Sequence, residues 1–447
     1  MVLSALSVVL AACALPTATI TGSELKGGGS VAVGYSLADG PAVVTYEVQT
    51  NKENWTSAGI YGTASGEINR LVESGDRSFR LAGLTNAIPA GLFQSGDVRL
   101  VLTAWSATDT PDYLVVDLAE NATTRVSYYA SEAALPGGLL ANPDYRTTKL
   151  VLKRIHARNV PFAAGSLGEA GRVAKNERLF QLALDHDYYL GVFEFTQKQW
   201  DMVASACRAQ DTWCYNNTAD WEMRPCDLVC YNELRLAQSK TRSGSGPAYV
   251  AAGDWPNAPA EDSILGLLRA RADGLVDFDL PSEAEWEFAA RAGCGETQWP
   301  DGTSIADATT DANLARMARY AGNSGYASAI YQNHSDVAAA DGGTAKVGSY
   351  EPNAFGLYDM LGNVHEFCLD YFEADVSAFG GAVNVSASDS TKTLSGAAVE
   401  TRVVRGGGLD SAAGDCRPAS RHEQAQIGRN NGSYVNGFRV KALMNLK

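Results

Sequence analysis

Basic residues are in short supply in this sequence: 36 Lys and Arg stand against 51 Asp and Glu, a formal charge of −15. No stripe of Lys or Arg offsets that excess, which argues against a partner with a phosphate backbone, and no nucleic acid is expected. The spacing of the cysteines gives no paired CxxC with a nearby His, which leaves a structural zinc reading little to stand on. Charged residues of either sign make up only 19% of the chain and apolar ones 45%, a globular balance rather than a disordered one. At 447 residues, one ordinary core is too small to hold the chain, and two or three domains are expected.

The opening MVLSALSVVLAAC is apolar but too short to span a bilayer, and it suits the hydrophobic region of a signal peptide. Its end, Leu10-Ala11-Ala12-Cys13, resembles a bacterial lipobox, although no Lys or Arg comes before Lys26. The expectation is an exported protein, lipid-anchored through Cys13 at a bacterial cell surface, with residues 1–16 as the leader. Export licenses disulfides. With Cys13 set aside, seven of the eight cysteines remain, so at least one is unpaired. Cys207, Cys214, Cys226 and Cys230 lie close enough in sequence to pair within or between couples.

From residue 17 to 133 the pattern is all-β. SVAVGYSL, AVVTYEVQT, DVRLVLTAW, DYLVVDLA and TTRVSYYA read as strands separated by Gly, Asp, Asn and Pro clusters, the pattern of a β-sandwich. It holds no His, no Cys and no clustered carboxylates, so it reads as an accessory module. Residues 134–149, rich in Gly and Pro, read as a linker. Beyond them TTKLVLKRI and YYLGVFEFT are strand-like. Thr196 with Gln199, and Ser282 with Glu285, form capping boxes that open helices, and a further helix spans about 262–272. Trp200 and Trp286 on these helices read as core.

The last part of the chain, Arg402 to Val440, runs RVVRGGG at one end and GFRV at the other. Both ends read as strands. The polar segment between them, with little apolar periodicity, reads as a loop held at two anchored ends, a common location for recognition or catalysis.

Four ordered segments then share one pattern: YYLGVFEFTQKQW, FDLPSEAEWEFAARAG, VGSYEPNAFGLYDMLGNVHEFCLDYF and RVVRGGG with NGFRV. Together they resemble the formylglycine-generating, sulfatase-modifying enzyme family over residues 150–447. The resemblance implies an α+β, C-type-lectin-like domain following the sandwich. It also implies a structural calcium on Asp359, Gly362, Val364 and Glu366, hard oxygen donors of the kind that ion takes, and a second site at Asn313 and Leu314. Catalytic members bind copper with two thiolates after the Arg-Gly-Gly motif, where soft sulfur suits Cu(I). Here that segment holds one cysteine, Cys416, with Ser411 at the first family position, and His365 and Phe367 replace the usual aromatic pair. The same likeness sets Cys368 beside Cys416, implying a bridge.

A narrower resemblance involves AGDCRPASR, residues 413–421, which is similar to the variable region of proteins diversified by retroelements. Gly406, Gly407, Ala413, Gly414, Cys416, Arg417, Ala419, Arg421 and Arg439 match the fixed residues of that pattern. The interleaved Leu409, Asp410, Ser411, Ala412, Asp415, Pro418, Ser420, His422, Glu423 and Gln424 are chemically miscellaneous, as a mutator leaves them. The function implied is a surface-displayed protein that binds a protein or cell-surface ligand through residues 409–436; the incomplete cysteine pair leans against an enzyme without deciding it. The competing class is a copper-dependent oxidase making formylglycine from sulfatase cysteines. The binder reading expects the interleaved side chains to face solvent and Arg417 and Arg421 to fasten the loop.

Overall fold

The computed structural model describes residues 15–51, 53–58, 62–84, 88–89, 92, 95–204, 220–236, 255, 257–295, 298–324, 343–376, 383–385, 401–425 and 435–443. The leader through Cys13, the cysteines Cys207 and Cys214, and the 426–434 part of the recognition segment lie outside them. The chain divides into two compact units, one formed by 1–112 with 127–139 and the other by 113–126 with 140–445.

The first unit is built from β1 (Thr17–Lys26), β2 (Ser30–Ala38), β3 (Ala42–Asn51), β4 (Trp55–Ser57), β5 (Thr63–Gly66), β6 (Arg70–Val72), β7 (Gly75–Ala82) and β8 (Val98–Trp105). One sheet runs β1-β2-β7-β5; in the other, β4, β6 and β8 all pair with β3. Period-two alternation explains the packing between them. Val33, Tyr35 and Leu37 of β2 point inward and meet Val44, Tyr46 and Val48 of β3 and Phe79 and Leu81 of β7. The Tyr35 hydroxyl donates to the Glu67 carbonyl at 2.5 Å, so the polar tip of that core side chain is satisfied.

Next in the chain come β9 (Tyr113–Asp117) and β10 (Val126–Tyr129). The sequence boundary at 133 placed β9 in the sandwich, but it belongs to the second unit. There it pairs antiparallel with β11 (Lys149–Ile155), Val115 opposite Val151. The stretch expected as linker holds two short 3-10 turns, Glu132–Ala134 and Pro143–Arg146, and Tyr145 is buried.

The second unit continues with β12 (Pro161–Ala164), β13 (Phe180–Leu184) and β14 (Tyr188–Gly191). Its helices are α1 (Gln197–Val203), α2 (Tyr231–Arg235), α3 (Ile264–Arg271) and α4 (Glu283–Arg291), with β15 (Phe278–Asp279) before α4. Both capping boxes read from sequence are formed, Thr196 with Gln199 and Ser282 with Glu285. The remaining strands are β16 (His365–Tyr371), β17 (Val383–Val385), β18 (Thr401–Arg405), β19 (His422–Ala425), β20 (Asn436–Gly437) and β21 (Lys441–Leu443). Thus GFRV is not one strand: pairing breaks across Phe438–Val440 and resumes at Lys441.

The strands β9-β11-β14-β21-β15 form the central sheet, and β19-β18-β16-β20 a second one. Between them α4 buries Trp286, Ala289 and Ala290 against Leu190, Met360, Cys368 and Val403. Among the described residues no helix is long and apolar enough to cross a membrane.

Candidate ligand-binding site

The segment after β18 is packed more tightly than its polar sequence suggests. Gly406 and Gly407 take positive φ of 87° and 71° and turn the chain off β18. A Cβ on Gly407 would lie 2.7 Å from the Cys416 sulfur, so only glycine lets these segments meet. Ala413 and Cys416 then pack with Trp299, Leu314, Met317 and Tyr320, while Leu409 joins Val364 and Val435.

Arginines fasten the segment. Arg417, fully buried, is held by Glu177 at 2.7 and 3.0 Å, by Glu169 at 2.5 Å and by the Gly414 and Gly171 carbonyls. Arg421 grips Glu283 at 2.5 and 2.9 Å and the carbonyls of Asn176 and Glu373. Arg405 donates to the Ala419 and Ser420 carbonyls and to Glu287. Such charge-assisted contacts fix geometry as well as stability. Where the loop meets residues 165–177, Gly171 and Gly414 lie backbone to backbone: a Cβ on Gly171 would come within 3.1 Å of Gly414 Cα.

The interleaved positions do not all face solvent. Leu409, Ser411, Pro418 and Ser420 are buried; Asp410, Ala412, Asp415, His422 and Gln424 are half-buried; Glu423 is exposed. For the first four the expectation of solvent-facing side chains is corrected. Between β18 and β19 the segment holds only one 3-10 turn, Ala413–Cys416, so no sustained period marks its inward-facing set in the sequence. Ser411 Oγ accepts from the Gly408 N–H at 2.9 Å and touches His365 Nε2 at 3.3 Å. Burial, and then His422, push His365 down to about 3, so its ring is neutral. Asp410 is raised, chiefly by burial and then by Asp415.

The expected Cys368–Cys416 bridge is absent. Both are unpaired thiols in different clusters, Cys368 under α4 and Cys416 against Trp299 and Met317. Burial drives both thiols well above their ordinary range, so neither is a ready thiolate.

Below the loop lie the residues expected to hold calcium. Asp359, at φ 54°, accepts the Gly348 N–H on Oδ2 at 2.6 Å, while its buried Oδ1 has no hydrogen-bond partner. Glu366 is already engaged: Arg439 reaches both its oxygens at 2.6 to 2.8 Å, and Trp286 Nε1 donates to Oε2 at 2.7 Å. Glu194, missed in the sequence reading, completes the cluster by accepting Asn363 Nδ2 at 2.6 Å and the Val364 N–H at 3.1 Å. Burial, then Asp359 and Glu366, raise it strongly, and Asp359 itself is lifted to about 6, chiefly by burial. Three carboxylates therefore surround one guanidinium. Asp359 Oδ1 is the unpartnered carboxylate oxygen here and Glu366 is shared with Arg439, while among the described residues no three His, Cys, Asp or Glu side chains converge on one cation position. Asn313 donates to the Ser304 carbonyl, and Leu314 is wholly buried.

A family model described as a sulfatase-modifying factor enzyme 1-like domain matches residues 161–442, and the chain belongs to that family. Its second unit is accordingly a formylglycine-generating-enzyme-like domain of the C-type-lectin-like class. "Serine/threonine-protein kinase pkn1" of Chlamydia pneumoniae is 28% identical over 266 residues, 58% of this chain and 33% of that protein. "Formylglycine-generating enzyme" of Thermomonospora curvata is 38% identical over 100 residues, 22% of this chain and 28% of that one. The chain spans about a third of the length of these curated relatives. The solved structure titled "Treponema denticola variable protein 1" aligns at 20% identity and a TM-score of 0.44, covering 66% of this chain and 96% of that one.

Proposed function

We propose that this protein is an exported binder that presents part of residues 409–436 as a diversified recognition surface. It takes a protein or cell-surface ligand, and a lipid on Cys13 anchors it to the membrane. The observation that carries this reading is the contrast within one segment. Arg405, Arg417 and Arg421 are locked to carboxylates and carbonyls of the fold, while Asp410, Ala412, Asp415, His422, Glu423 and Gln424 retain accessible surface. A rigid frame carrying exchangeable polar groups is what an adaptable paratope requires. These six positions form the contact set, and calcium at Asp359 stiffens the floor beneath them. A search of the source genome tests the diversification: a second copy of the region encoding 402–440, differing at adenines and next to a reverse transcriptase gene, is the expected result. Absence of both sinks it.

The oxidase reading draws on the family itself. It requires two thiolates on one copper ion, whereas Cys416 has Ser411, a hydroxyl, at the other position, and its own thiol is buried against Gly407. Oxygen-dependent conversion of a cysteine-bearing sulfatase peptide by the copper-loaded protein would establish oxidase activity and displace the binder.

A further inference from the structure

His365 opens β16 and His422 opens β19, the strands on either side of β18. Register sets Phe367 opposite Val404 and Val404 opposite His422. His365 lies two positions from Phe367, so both imidazoles share one face. Their ring centroids are 5.2 Å apart with planes at 71°. Two imidazoles bound at about 2.0–2.1 Å to one tetrahedral zinc ion hold their centroids about 5 Å apart.

The two rings are oriented alike. His365 Nε2 lies 3.3 Å from Ser411 Oγ, and His422 Nε2 lies 3.0 Å from Ser420 Oγ and 3.3 Å from the Asp415 carbonyl. A carbonyl only accepts, so His422 carries its hydrogen on Nε2 and leaves a lone pair on Nδ1. On His365 the corresponding Nδ1 is buried with no hydrogen-bond partner. Metal-ligating histidines have this arrangement, one nitrogen tied to an oxygen and the other turned to the ion. A carboxylate lies beside them. A Cβ on Gly408 would meet Val435 Cγ1 at 2.7 Å and Asp410 Oδ1 and His365 Cδ2 each at 3.3 Å, so the carboxylate borders the Cδ2–Nε2 edge of the ring, away from Nδ1. That Oδ1 is also buried without a partner.

We propose that His365 and His422 bind a borderline divalent transition metal, zinc being the reference case, through their Nδ1 atoms. Among the described residues no three such side chains already converge on one point. Two imidazoles are therefore the protein donors, and water completes the coordination. This site is distinct from the one at Asp359, and as a metal ligand His422 stands outside the exchangeable contact set of the binder reading.

The test uses the full chain, stripped with chelator and titrated with zinc against a chromophoric competitor. One zinc per chain is expected, weakened at least tenfold by His365→Ala and by His422→Ala. His156→Ala, which removes an exposed histidine, should leave it unchanged. Circular dichroism melts check that the variants fold. If they do not, cobalt(II) added to the unaltered protein decides: intense visible bands of a tetrahedral site support the proposal, and the weak bands of a six-coordinate ion overturn it. Zinc that survives either substitution, or no zinc bound at all, also overturns it.

Discussion

Arg417 and Glu177 stand 240 positions apart in the chain and 2.7 Å apart in space, with neither side chain reached by solvent. This pair, with Glu169 on the same guanidinium, fastens the C-terminal loop to the segment that precedes β13. Removing one partner of a buried pair leaves an uncompensated charge, at a cost of roughly 3–5 kcal/mol. Arg417→Ala should lower stability by about that amount in urea denaturation. Arg417→Lys should recover only part of it, because an ammonium cannot reproduce the planar fork. A loss under about 1 kcal/mol for Arg417→Ala would show the pair to be incidental.

Within the loop, accessible and buried positions should behave differently. Replacing Glu423, the exposed position, by Ala should change stability by no more than about 0.5 kcal/mol, as for other surface substitutions. Leu409→Ala should cost about 2–5 kcal/mol, because its side chain fills the space between Val364 and Val435. Thermal melts of the two variants separate these outcomes, and equal losses would contradict the burial pattern.

Acid should unfold the second unit through Glu285. Burial pushes this carboxyl up, but Lys441, at 3.0 Å from both its oxygens, and His186, at 2.8 Å, pull it down to about 2. A depressed folded value means the stabilisation is fully present above the unfolded carboxyl range. It is lost as pH falls from about 4.5 toward 2, a change of about 3 kcal/mol. Lys441→Met should flatten stability across that window. His186 acts with the opposite sign: burial lowers it, yet Glu285 and Asp185 outweigh burial and raise it. Its contribution is complete below the unfolded histidine value and disappears as pH rises through the folded one.

Calcium should raise the melting temperature of the full chain relative to chelator. At a hundredfold excess over its dissociation constant, the linkage is worth about 2.7 kcal/mol. Asp359→Ala should abolish the difference by removing the one carboxylate oxygen of the cluster with no hydrogen-bond partner. Equal melts with and without calcium in the unaltered protein would rule the ion out.

Local chemistry was legible in the sequence where it acts locally. Thr196 and Ser282 cap their helices through contacts three residues away, and alternation along 30–37 defines β2 and its inward face. The loop was legible only as polar, because its burial follows a non-repeating path that no period describes. Its fasteners could be named, but Glu169, Glu177 and Glu283 could not, since chain distance carries no trace of their approach. The two histidines were read singly for the same reason: β18 brings them together. The proposed thiol bridge failed because shared membership of neighbouring segments does not fix which core a side chain enters.

The placement of β9 also bears on inheritance. The chain enters the first unit, leaves it at Tyr113, returns for 127–139 and leaves again. Neither unit is therefore encoded as one uninterrupted block of sequence. Recombination at the apparent linker would remove Tyr113, Leu114 and Val116, all buried, from the partner strand of β11. A gene that gained or shed its sandwich by a single cut there would yield a damaged lectin-like unit, so the two units are expected to descend together.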